Sequence, residues 1–88
     1  MCTYATVRTP VAGSAKGPGG TWMRVTDATV YFDHPVHAPA EHTLNIDFTN
    51  PAVGPSARVA VELSAASARE LLEAIQAALD SAPRELTR

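Results

Sequence analysis

Apolar and polar side chains alternate with a period of two along much of the chain. Val30 and Phe32 alternate with Tyr31 and Asp33, and Leu44, Ile46 and Phe48 alternate with Thr43, Asn45, Asp47 and Thr49. Val59, Val61 and Leu63 alternate with Arg58, Ala60 and Glu62. Successive strand residues point to opposite faces, so each run reads as a half-buried strand. Residues 2–8 alternate more weakly but are rich in β-branched and aromatic residues, and residues 21–26 read the same way. The pattern predicts strands at about 2–8, 21–26, 28–34, 42–49 and 58–63, with Asp27-Ala28 as a break. Trp22, the only tryptophan, is expected in the core.

After residue 64 the period changes. Leu71, Leu72, Ile75, Ala78 and Leu79 follow the spacing of one helical stripe, and Ser67 to Glu70 fits a capping box, with Ser64 as an alternative cap one turn earlier. Pro83 closes the run. A helix over about 65–81 is expected to bury this stripe on the apolar face of the sheet. Consecutive strands joined by turns favour a meander. The expected fold is α+β in two layers, a four- or five-stranded antiparallel sheet covered by one C-terminal helix, in a single domain over residues 1–88.

Two connections carry the turn signals. Residues 9–20 hold four glycines and two prolines and read as a long loop, a flap with Lys16 as its cation. The phosphate-loop pattern cannot be laid over Gly13–Gly20. Residues 50–57 form a second turn-rich connection.

Between the strands ending at Asp33 and starting near His42 lie Pro35 and Pro39, which favour a loop. Pairing Phe32 with Leu44 puts Val30 opposite Ile46 and His34 opposite His42, with imidazoles about 5 Å apart at Cβ. His37, in the loop, is then placed to join them. All three histidines of the chain fall in this stretch, together with Asp33, Glu41 and Asp47.

Three imidazoles and a carboxylate suit a transition metal, zinc or iron, with His34, His37 and His42 as ligands and Glu41 as fourth ligand or general base. Asp33 or Asp47 would orient an imidazole from outside. The alternatives are metal-free acid–base catalysis on a small organic substrate, with Lys16 stabilising an anion, and a non-enzymatic ligand-binding or accessory protein.

Composition narrows the partners. A net charge of −2 with no basic run lacks the footprint of a nucleic-acid binder, and no apolar run is long enough to span a membrane. The single cysteine, Cys2, precludes an internal disulfide, and the start shows no secretory leader, so the cytoplasm is expected. Removal of Met1 would make Cys2 an N-terminal nucleophile, set against the plainer role of a small residue at a strand's start. With only 88 residues for a core, a homodimer is expected.

The Met-Cys-Thr-Tyr start, Gly13-Ser-Ala-Lys-Gly-Pro18, Tyr31-Phe-Asp-His-Pro-Val-His37, Glu41-His-Thr-Leu-Asn-Ile-Asp-Phe48 and Arg58-Val-Ala-Val-Glu-Leu63 resemble a domain-of-unknown-function family of small proteins from actinobacteria-type bacteria. The resemblance covers nearly the whole chain and implies an intact single-domain protein. It carries no catalytic residues with it.

Overall fold

Four strands follow one another before the helix in the computed structural model, which describes residues 4–88. They are β1 (Thr6–Lys16), β2 (Trp22–Asp33), β3 (Thr43–Thr49) and β4 (Arg58–Leu63), and the helices are α1 (Ala65–Ser81) and the one-turn α2 (Arg84–Thr87). The strands form an antiparallel meander in the order β1-β2-β3-β4, and the C-terminal helix makes this a two-layer α+β fold.

The register is the one the hydrophobic pattern demands. Phe32 faces Leu44, Val30 faces Ile46, and Ile46 in turn faces Val61. A slip of one residue would send every apolar side chain to the other face, so the alternation fixes the parity of the pairing, and the observed register is one of that parity. One face thus carries Val30, Phe32, Leu44, Ile46, Phe48, Val59, Val61 and Leu63, all half-buried. The opposite face carries Tyr31, Asn45, Asp47, Arg58 and Glu62.

Four expectations are corrected. Asp27-Ala28 is not a break: β2 runs unbroken from Trp22 to Asp33. Asp27 is held in the sheet by the Thr26 hydroxyl at 2.7 Å and by Arg8 at 3.1 Å, and Ala28 is buried.

Residues 9–16 are not a flap either. β1 continues to Lys16 with its register shifted between Pro10 and Gly13, and only residues 17–21 turn the chain. Proline and glycine misled here because β1 is an edge strand. A residue without an N–H costs an edge little, and a bulge absorbs the irregularity. Gly19 and Gly20 do serve the turn, at φ 81° and 80°. Trp22, beside this turn, is 64% exposed and lies outside the core. Cys2 and the first residues of the expected strand lie outside the described residues.

The helix forms where its periodicity places it, and Ser64 is its cap: the Ser67 N–H donates to Ser64 Oγ at 3.1 Å. Ser64→Ala is expected to cost about 1 kcal/mol and Ser64→Gly only a few tenths, measured by thermal melting. A Ser67→Ala variant should melt like wild type, because Ser67 contributes its backbone and not its hydroxyl to the cap. The one-turn α2 after Pro83 has no counterpart in the hydrophobic pattern.

The apolar stripe of α1 is not buried as expected. Leu71, Leu72, Ile75 and Leu79 are 41–68% exposed, and Ala68 is the one residue of the helix that is not classed as exposed. α1 leans on the sheet at its first turns and leaves an open groove of about 330 Å³ walled by Val30, Leu44, Ile46, Leu63, Leu71 and Ile75. Val25, Ala28 and Ala57 are the buried apolar side chains among the described residues.

Candidate functional site

The β2–β3 ladder ends at the pair Asp33 and Thr43, so His34 and His42 are the next pair outward. Their ring centroids lie 4.5 Å apart, as the register implies. His42 also stacks on Phe32, with centroids 5.6 Å apart and planes 10° from parallel, and Tyr4 approaches both rings at 6.2 and 6.3 Å. His34 Nδ1 lies 2.7 Å from the Glu41 carbonyl oxygen. A carbonyl can only accept, so Nδ1 carries the proton in this contact, and Nε2 is the basic nitrogen of the neutral ring.

The third histidine, His37, lies in the loop between the two strands. Residues 35–41 fold over the polar face of the sheet, where the Glu62 carboxylate accepts backbone N–H groups from Val36, from His37 at 3.1 Å and from Ala38 at 2.8 Å. Three donors on one carboxylate tie the loop to the middle of β4. They also hold the Glu62 carboxyl below its usual range: the Ala38 and Val36 N–H groups lower it most, and the His37 N–H adds to them.

His37 therefore joins His34, Tyr31, Asn45, Asp47, Arg58 and Glu62 around a pocket of about 590 Å³, whose lining does not include His42. Among the described residues, no group of three or more His, Cys, Asp or Glu side chains is arranged to hold a metal ion.

The other expected residues sort by position. Asp33 Oδ1 accepts the His34 backbone N–H at 2.6 Å, fixing the corner where β2 ends. Glu41 meets His34 through its main-chain carbonyl, and its carboxylate is not part of that contact. Asp47 lies on the pocket floor, where it accepts from Arg58 Nη2 at 3.0 Å and from the Tyr31 hydroxyl at 3.4 Å. Lys16 pairs with Trp22, eleven residues along β2 from Asp33, or about 35 Å away in an extended strand. The sheet thus separates it from the histidines and the pocket.

The sequence places Arg58, Tyr31, Asn45 and Glu62 on a polar face that is either solvated or the floor of a polar pocket, without singling them out as site residues. Their signal was parity: all four occupy the polar face, and Asn45 faces both Tyr31 and Glu62 across the ladder. Beneath the loop, Thr43 and Asn45 are 2% and 4% exposed, and the Thr43 hydroxyl donates to Asn45 Oδ1 at 2.6 Å.

Burial and then the charge of Asp47 push the Tyr31 hydroxyl above its ordinary pKa, so Tyr31 is a neutral donor across the physiological range. The hydrogen bond and charge of Asp47 hold Arg58 protonated.

Charge accounting shows what the pocket offers. Asp47 is matched by Arg58, and Glu62 by the three loop N–H groups. A guanidinium has five N–H donors in a planar fork, and Arg58 keeps 49% of its side chain exposed while meeting Asp47 through Nη2. It also interacts with Tyr31, and it lines the cavity with donors in excess of those that Asp47 takes.

A family model matches the chain over residues 1–88, that of a family of unknown function (DUF6295). No curated protein and no solved structure matches it.

Proposed function

We propose that this chain, which belongs to the DUF6295 family and whose chemistry has to be read from its own side chains, binds a small organic acid in the polar pocket. The observation that carries the reading is Arg58. It is a fixed guanidinium on the floor of a cavity whose roof is clamped by Glu62, and its remaining donors match the planar fork of a carboxylate. The Tyr31 hydroxyl and the His37 ring line the same cavity and suit further oxygens on the ligand. The loop N–H groups are used by Glu62, so the anion is left to Arg58.

The test is a panel of small carboxylic acids and their neutral amides, followed through backbone amide shifts of labelled protein. Acids should shift residues 36–38, 45, 47 and 58, and the matching amides should not. Arg58→Gln should weaken the best acid by about tenfold or more, the loss of one charge-assisted contact. Equal binding of acid and amide, or an unaffected Arg58→Gln variant, would remove the proposal.

A second reading, acid–base turnover of the bound acid, is favoured by His37 and Tyr31 sharing the pocket. Under it, His37→Gln abolishes turnover while binding survives.

A further inference from the structure

The face of the sheet away from the pocket poses a separate problem. The chain exposes 6681 Å². A folded monomer of 9.3 kDa exposes roughly 5,000 Å², so the excess is roughly 1,700 Å². The radius of gyration is 14.5 Å against roughly 12 Å for a compact chain of this length. A standard protein interface covers about 800 Å² on each partner, and obligate homodimers cover about 1,000–2,500 Å² each. The excess falls in the second range.

Part of the exposed apolar surface is the α1 stripe of Leu71, Leu72, Ile75 and Leu79, which lies beside the half-buried sheet face it fails to close over. These two surfaces match each other in size. Seventeen helical residues span about 25 Å, and the seven residues of β3 span about 23 Å. Both are apolar, and none of the stripe residues is charged.

We infer that two copies of this chain associate about a two-fold axis, the α1 stripe of each filling the groove between helix and sheet of the other. A second copy fits better than an unrelated partner for two reasons. One two-fold operation covers the stripe and the sheet face of both copies at once. Among the described residues the buried apolar side chains, Val25, Ala28 and Ala57, are too few to hold the fold without that cover. The cover must therefore be present whenever the chain is folded, a condition a second copy meets. The polar pocket lies on the opposite face and stays open in this dimer, so the inference stands apart from the ligand proposed above.

Sedimentation velocity on the full chain at micromolar concentration should give a species of about 18.6 kDa, twice the chain's 9.3 kDa. Its melting temperature should fall on dilution, because folding and association are linked. A 9.3 kDa species with a concentration-independent melt would overturn the inference. The Leu72→Glu, Ile75→Glu double variant should lose the dimer and unfold with it.

Because that variant cannot report on a folded monomer, the interface is located in wild-type protein. A mixture of isotope-labelled and unlabelled chains should show intermolecular contacts between methyls of Leu72, Ile75 and Leu79 and those of Ile46 and Val61. A dimer whose intermolecular contacts fall only on the polar face or on the edges β1 and β4 would overturn it equally.

Discussion

Asn45→Ala should lower the unfolding midpoint by roughly 5–20 °C, the shift expected for a loss of about 1–3 kcal/mol in a domain of this size. Asn45 lies near the centre of the sheet with its amide beneath the loop, and its Oδ1 accepts the proton of the nearly inaccessible Thr43 hydroxyl. Truncation removes the acceptor and leaves the hydroxyl sealed from water, the costly half of a broken hydrogen bond. The companion variant, Thr43→Val with Asn45→Leu, removes both polar partners and should recover much of the loss. Thermal melts of the three variants decide the matter. If Asn45→Ala melts within about 2 °C of wild type, the buried pair has no structural weight.

Glu62→Gln should leave the sheet and helix intact while freeing the loop above the pocket. Glutamine keeps the size of the side chain but removes the charge, and it turns one acceptor oxygen into an NH₂ that faces donors. The Val36, His37 and Ala38 amides should then exchange with solvent on the order of tenfold faster, seen by hydrogen exchange. Loop amides that exchange at the wild-type rate would show that Glu62 is not the clamp.

Acid should mimic the change. The Glu62 carboxyl titrates below its ordinary 4.5 in the folded chain, because the loop N–H groups favour the ionised form. Its contribution is therefore complete above about pH 4.5 and is lost as pH falls from there through the lowered folded value. Amide shifts of residues 36–38 should follow this titration in wild type and lose it in Glu62→Gln. Binding of the organic acid should weaken over the same window, since the roof of the pocket opens.

The parts of the fold that local pattern controls were legible in the sequence. Alternation of Val30, Phe32, Leu44 and Ile46 with polar neighbours set these strands and the parity of their pairing, because a sheet with one apolar face admits only one parity, and the structure shows which register of that parity forms. The His34–His42 approach followed from that register alone. The α1 bounds followed from the helical period and a serine cap. Where local signals conflicted with an edge position, they misled: Pro10 and Gly13 read as loop, yet β1 passes through them with a register shift.

The candidate site was half legible for a related reason. Parity put Tyr31, Asn45, Asp47, Arg58 and Glu62 on one face, but face membership assigns no partner. Side-chain reach across three strands, and the folding of residues 35–41 onto Glu62, turned that face into a pocket lined by His37 and His34 but not by His42.

By itself, then, the sequence determined β3, β4, the second half of β2, the helix and the polarity of each face, since these rest on periodicities of two and 3.6 within short segments. Only the tertiary structure decided that Glu62 clamps the loop, that Arg58 and not Lys16 lines the polar pocket, and that α1 leaves its apolar stripe open. Those outcomes depend on distances between residues remote in the chain, which no local period encodes.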